Sequence, residues 1–302
     1  MSEDNLVDIV IPFVDCTDKA WLSDYCNATK AYSYAKERFR SWGTLKYWFR
    51  GIDKYAPFVR NIVLILARET QIPSWLDTSK VRIVYHREFM PEQFLPTFNS
   101  SVIESFLFNI PDLSDRFIYF NDDMFIINPV ELSDFFDGDV PRMKFNFHDK
   151  YNHASVFRRN CRNCLDMITD ALKVERYPAE KLFLSNHCTA NLLKKTLEEV
   201  KELCEDKIPR TVTKTRSFNN VHKHLYEYYQ YYTGNYATEY PLRFKYFQMS
   251  DNLSTIESAI KENNLQMICL NDSDKIKKYN QTRGALLAIF QEKFPDKCKY
   301  EL

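Results

Sequence analysis

The 302-residue sequence predicts an α/β fold: a Rossmann-like, mostly parallel sheet with an inserted helical subdomain. Three observations carry this. Apolar strand-length runs alternate with helical periodicity through the first half, as βαβ units require. The run Phe117-Ile-Tyr-Phe120 drives into Asn121-Asp122-Asp123 and on into a second apolar run, Met124-Phe-Ile-Ile127. A later apolar run, Gln266-Met-Ile-Cys-Leu270, ends likewise in Asn271-Asp272. Buried strands have no use for adjacent carboxylates except at their carboxyl ends, where open α/β sheets form ligand crevices. Paired carboxylates repel and resist desolvation, so a cation is their natural partner, and oxygen donors suit Mg²⁺ or Mn²⁺.

In chain order, Val7-Asp-Ile-Val-Ile-Pro-Phe-Val14 reads as a first strand opening into a polar turn with Asp15 and Asp18, followed by Trp21. Leu45, Trp48, Phe49 and Ile52 recur at helical spacing within a helix over 41–55, which Ala56-Pro57 stops. Strands follow over 59–66 and 81–85. Thr97-Phe-Asn-Ser-Ser101 offers N-cap side chains to a helix over 102–109, whose first turn would hold Glu104 beside the positive end of the dipole. Beyond the acid pair, a short helix over 131–136 and a strand over 141–147 are expected. Residues 155–234 read as mostly helical, with helices over 188–204 and 220–232, the latter crowded with Tyr226, Tyr228, Tyr229, Tyr231 and Tyr232. Such a tyrosine row is expected to pack against the α/β body rather than stack on sugars. Helices over 253–263 and 283–294 flank the second Asp strand. The implied organisation is an α/β ligand-binding part over 1–150, a helical subdomain over 151–250, and a strand–helix return over 251–302.

Composition limits function. Lys plus Arg and Asp plus Glu both number 41, which disfavours nucleic acid or an anionic membrane as the main partner. Five glycines leave no GxGxxG or P-loop. The acidic start, Met1-Ser-Glu-Asp, is not signal-like, and no apolar run approaches the ~20 residues that span a bilayer. A cytoplasmic protein, at most peripheral to the inner face of a membrane, is expected. The eight cysteines read as thiols; Cys161-x-x-Cys164, with no histidine at metal spacing in sequence, reads as incidental.

Carboxylates at two strand ends, with Arg and His elsewhere, suit metal-assisted chemistry on a pyrophosphate-bearing substrate. Arginine forks bind phosphoryl oxygens, and histidine takes a hydroxyl proton near neutral pH. Composition does not select among the six histidines, nor separate glycosyl from phosphoryl transfer.

The sequence resembles the Stealth family of sugar-phosphate transferases, which includes bacterial capsular and exopolysaccharide phosphotransferases and the catalytic subunit of the lysosomal N-acetylglucosamine-1-phosphotransferase. Four blocks carry the resemblance. The first is Asp8-Ile-Val-Ile-Pro-Phe-Val-Asp15 with Asp18 and Trp21. The second runs from Arg38-Phe-Arg40-Ser through Ala56-Pro-Phe-Val-Arg-Asn-Ile62, Gln71-Ile-Pro-Ser-Trp-Leu76 and Leu95-Pro-Thr-Phe-Asn99-Ser-Ser101 to Glu104 and Phe117-Ile-Tyr-Phe-Asn-Asp-Asp123. The third contains His187 and Arg216, and the fourth is Ile268-Cys-Leu-Asn271-Asp272. The resemblance implies transfer of a sugar-1-phosphate from a nucleoside diphosphate sugar, UDP-sugars foremost, to an acceptor sugar hydroxyl. The phosphodiester formed would belong to capsule or exopolysaccharide, with work beside capsule-assembly machinery.

It implies catalytic roles for Glu104, Asp123, His187 and Arg216. Mg²⁺ or Mn²⁺ is expected on Asp122 and Asp123, and substrate contacts by Asp15, Asp18, Trp21, Arg40, Asn99, Asn271 and Asp272. His153 rivals His187, and Arg210 or Arg243 rivals Arg216. The other classes are a metal-dependent glycosyltransferase releasing the nucleoside diphosphate and a non-catalytic sugar-binding protein.

Overall fold

The structure, a computed structural model, describes residues 6–31, 36–148, 155–175, 182–185 and 187–302. Its elements, in chain order, begin with β1 (Val7–Pro12), α1 (Lys19–Thr29), α2 (Lys36–Phe39), α3 (Leu45–Tyr55), β2 (Val59–Leu66), β3 (Arg82–Tyr85), α4 (His86–Phe89) and α5 (Ser100–Ser105). Strands β4 (Arg116–Tyr119), β5 (Met124–Ile126), β6 (Phe136–Asp137), β7 (Val140–Pro141) and β8 (Phe145–His148) follow. Next come α6 (Val156–Leu172), β9 (Leu182–Ser185), β10 (Ala190–Leu193), α7 (Lys194–Cys204) and α8 (His224–Tyr232). The last elements are β11 (Phe244–Gln248), α9 (Ser254–Lys261), β12 (Met267–Asn271) and α10 (Tyr279–Lys293).

Five strands form the main sheet in the order β10-β4-β1-β2-β3, parallel except for β10 at its edge. This is the expected mostly parallel α/β architecture. Alternation along each strand sends successive side chains to opposite faces. Ile9, Ile11, Leu64, Ile118 and Phe120 join one core with α3, α9 and α10, whereas Val10, Val63, Ile65, Phe117 and Tyr119 join another with α6, α7 and α8. A sheet covered on both faces requires near-continuous apolar strands, which is why β1 and β2 read so plainly.

A second sheet, β11-β12-β5, stands beside the first, with β12 parallel to β11 and antiparallel to β5. The chain passes from β4 in the first sheet to β5 in the second through Phe120–Asp123, so the acid pair occupies the junction. Helix α3 closes over β5 at Gly51, where a Cβ would lie 2.4 Å from the Ile126 carbonyl oxygen. Only glycine permits that approach.

Several expectations shift. The helix expected over 188–204 opens as strand β10, because Ala190–Leu193 pair antiparallel with β4 before the chain turns into α7. Local apolar spacing there fits either state, and the free edge of β4 decides it. The stretch 151–250 therefore supplies strands to both sheets as well as helices. The tyrosine row of α8 does pack inward: Tyr226 and Tyr228 are fully buried. Among the described residues, no helix is long and apolar enough to cross a membrane.

Candidate active site

The parallel strands of the main sheet direct their carboxyl ends into one crevice of about 350 Å³. Pro12–Val14 after β1, Ala67 after β2, Asn121–Asp123 after β4 and Leu270–Asp272 at the end of β12 all line it. Backbone bonds fix the acid pair: Phe120 N donates to Val10 O at 2.8 Å, and Leu270 N donates to Asp123 O at 2.8 Å. The two Asp-bearing strand ends thus meet although they belong to different sheets.

Asp122 opens onto the crevice yet is enclosed by its walls. That enclosure, with the Asp123 charge added, pushes its carboxyl up to about 7. Asp123 Oδ1 is buried without a hydrogen-bond partner, while Oδ2 lies 3.8 Å from His187 Nε2. The His187 ring is half-exposed and meets the Tyr246 ring edge-on, centroids 5.4 Å apart.

Glu104 lines the same crevice but not for the reason expected. It is the fifth residue of the six-residue α5, past the first turn, so the helix dipole does not explain it. Instead Tyr119 Oη donates to Oε1 at 3.1 Å, and the Lys223 backbone N donates to Oε2 at 3.2 Å. Burial raises the Glu104 carboxyl above its usual range, with Lys223 and Arg216 opposing the rise.

Arg216 stands on the crevice wall within electrostatic reach of Glu104, its Nη2 bonded to Ser100 Oγ. Its loop is held by Asn99. The Asn99 Oδ1 accepts from Ser101 N at 3.2 Å as the N-cap of α5, and its Nδ2 donates to Thr213 O at 3.2 Å and Asn220 Oδ1 at 2.9 Å. Asn99 thus couples α5, which carries Glu104, to the segment that carries Arg216. Arg38, quoted only as part of a motif by the sequence reading, also lines the crevice and lies near enough to Arg216 for mutual repulsion. Two guanidinium groups brought this close on one crevice wall invite a polyanionic ligand.

The remaining expected residues divide. Arg40 forks onto Asp272, whose Oδ2 also accepts from Trp42 Nε1 at 2.9 Å; this pair lines the crevice while satisfying itself. Asn271 lines it beside them, and Trp21 forms part of its wall, buried against Tyr25 and Phe98. Asp15 and Asp18 do not line it. Asp15 Oδ1 accepts from Thr17 N at 2.9 Å, and Asp18 caps α1 through Ala20 N at 2.9 Å while accepting from Thr70 Oγ1 at 2.6 Å. Arg210 and Arg243 lie away from the crevice, and His153 falls outside the described residues.

Residues 38–143, the span that supplies Arg38, Arg40, Glu104 and the acid pair, match Stealth protein CR2, conserved region 2. Over its whole length the chain is 32% identical to the exopolysaccharide phosphotransferase cps2G of Lactiplantibacillus plantarum, covering 98% of this chain and 96% of that one. The chain belongs to the Stealth family of phosphotransferases. It is also 28% identical to the capsular polysaccharide phosphotransferase WcwK of Streptococcus pneumoniae, covering 98% of each chain. It is likewise 28% identical to the receptor polysaccharide phosphotransferase WefC of Streptococcus oralis, over 99% of this chain and 100% of that one. The glycosyltransferase GlyE of Streptococcus pneumoniae TIGR4 overlaps at TM-score 0.41 with 11% identity, covering 96% of this chain and 63% of that one, a likeness too slight to support an argument.

In this Stealth chain the donor set at the acid pair fits a hard divalent cation. Asp123 Oδ1 is a buried acceptor with no geometric hydrogen bond beyond the nearby Cys269 thiol, and Asp122 adds a second carboxylate that enclosure and then its neighbour's charge keep from ionising freely. A cation relieves both. Cys269 Sγ lies within 4.8 Å of donor atoms of Asp123 and His187, but burial and then the Asp123 charge hold its thiol protonated far above neutral pH. Oxygen and imidazole donors remain, consistent with Mg²⁺ or Mn²⁺.

Proposed function

We propose that the chain transfers a sugar-1-phosphate from a nucleoside diphosphate sugar, UDP-sugars foremost, to a hydroxyl of an acceptor sugar. The product is a phosphodiester of capsule or exopolysaccharide, and the nucleoside monophosphate leaves. The observation that carries this reading is the convergence of the Asp122–Asp123 pair, His187, Arg38 and Arg216 on one crevice.

Asp122 and Asp123 would hold Mg²⁺ or Mn²⁺, which when bound neutralises the donor pyrophosphate. Arg38 and Arg216 embrace non-bridging phosphoryl oxygens as charge redistributes during the attack. Glu104, fixed by Tyr119 and Lys223, holds the charge that keeps the Arg216 guanidinium on the crevice wall. His187, standing at the exposed side of the acid pair, accepts the proton of the attacking hydroxyl at Nε2. The Asp123 carboxylate, 3.8 Å away, then stabilises the imidazolium. Trp21, Trp42, Arg40, Asn271 and Asp272 shape the pocket that takes the rest of the donor. The loop bearing Asp15 and Asp18 supports that wall.

The test is nucleotide release from a panel of nucleoside diphosphate sugars with Mg²⁺ or Mn²⁺ and defined oligosaccharide acceptors. Nucleoside monophosphate, with phosphorus recovered in the product, is the expected result. Release of nucleoside diphosphate would identify a glycosyltransferase and overturn the reading.

A further inference from the structure

Behind Glu104 lies a second cluster that the transfer reaction does not use. Cys161 on α6 stands against His222 and His224, which the chain delivers from sixty residues away at the start of α8. One donor atom from each lies within 4.8 Å of the others, and all three residues are buried, at 0%, 4% and 3% exposure. The Cys161 Sγ to His222 Nε2 separation is 3.6 Å. That is the sulfur–nitrogen edge of a tetrahedron whose metal bonds are about 2.3 Å to sulfur and about 2.0 Å to nitrogen. Glu227 Oε2, 3.3 Å from His224 Nδ1 and itself buried, stands beside the three donors as a neighbouring charge and accepts from Lys223 Nζ at 3.2 Å.

We infer that Cys161, His222 and His224 form a zinc site beneath the active-site floor, with the Glu227 carboxylate beside it. Donor chemistry selects the metal: one sulfur and two imidazoles suit zinc, and not the hard cations expected on Asp122 and Asp123. The charges close as well. Zn²⁺, the Cys161 thiolate, the Glu227 and Glu104 carboxylates and the Lys223 ammonium sum to zero, which a dry interior requires. Binding releases the Cys161 thiol proton to solvent, and no other bond is made or broken.

The surroundings are those of a closed site. Phe157 lies parallel to the buried His222 ring, interplanar angle 8° and centroids 5.8 Å apart. Cys164, one turn along α6, accepts from His222 N at 3.2 Å and so fixes the loop that carries the imidazoles. Between the two histidines, Lys223 gives its backbone N to Glu104 and its Nζ to Glu227 at 3.2 Å. Zinc there would staple α6 to the loop that sets Glu104.

The test reads metal content, so it does not depend on the transfer activity. The full-length protein and the variants Cys161→Ser and Cys269→Ser are produced in zinc-supplemented medium, passed over a weak chelator and assayed for bound zinc. Cobalt-substituted samples are examined for a thiolate-to-cobalt charge-transfer band. The expected result is one zinc per chain in the wild type and in Cys269→Ser, lost in Cys161→Ser. Absence of zinc from the wild type, both as purified and after refolding with Zn²⁺, overturns the inference. So does zinc kept by Cys161→Ser and lost by Cys269→Ser, which would move the metal to the crevice. Should Cys161→Ser fail to fold, the cobalt form of Cys269→Ser decides. A persisting thiolate band supports the site, and a vanished band overturns it.

Discussion

At the scale of residues, the crevice is a set of charges with distinct tasks, and substitutions should separate them. Asp123→Asn removes a partner of the developing charge and should lower turnover on the order of 10²–10³-fold in the nucleotide-release assay. Arg38→Ala should raise KM for the donor while leaving thermal stability within about 0.5 kcal/mol, since its exposed side chain supports no core. Asp122 supplies a pH dependence. Its folded carboxyl sits at about 7 against 3.8 for the ordinary group, so the native state keeps a proton that the unfolded chain has already lost. Stability contributed by that group therefore falls as pH rises from about 4 to about 7 and is level beyond. Asp122→Asn should raise the metal-free melting temperature at pH 8 and leave it nearly unchanged at pH 4. In the wild type, the Mn²⁺-induced rise in melting temperature should grow from pH 6 to pH 8 as the second carboxylate ionises.

The same residues show what the sequence makes legible. Asp122 and Asp123 announce themselves because a buried strand cannot otherwise tolerate them, and the second Asp-bearing strand obeys the same logic. Arg38, His222 and Lys223 carry no such signal. A lone arginine on a short helix reads as surface, and two histidines sixty residues from a cysteine have no spacing to betray them. Only the fold brings them to the crevice and to its floor.

At the scale of elements, the sequence reading succeeds where one strand decides its own state and fails where a neighbour decides. Strand β2 matches its expected range because its apolar run is buried on both faces. Strand β10 was hidden inside a helical pattern, since its partner β4 lies seventy residues earlier. Asn99 connects elements in a testable way. Asn99→Ala removes an N-cap and two bonds to the Arg216 segment, so it should cost about 1–2 kcal/mol of stability and lower kcat more than it raises KM. A helix held from outside is equally exposed to loss. Arg50 of α3 is buried and forks onto Glu301, with Nε 2.6 Å from Oε1 and Nη2 2.9 Å from Oε2. Glu301→Ala leaves that guanidinium without its counter-charge and should cost about 3–5 kcal/mol in denaturant unfolding.

At the scale of the whole molecule, the five-stranded sheet and the β11-β12-β5 sheet converge on one opening, and family membership explains why the first half of the chain is so readable. The span that matches the conserved Stealth region also contains three of the five main-sheet strands after β1's lead. The passage from β4 to β5 has one more consequence. The acid pair is a joint between two separately hydrogen-bonded slabs, so whatever grips both carboxylates also clamps one slab to the other. Loading with Mn²⁺ should therefore slow amide exchange along β5 and β12, strands whose own bonds no ion touches, and Gly51→Ala, which wedges α3 off β5, should blunt that distant quieting. The crevice would then act as a rivet, and a donor-bound molecule would be stiffer through its second sheet than a vacant one.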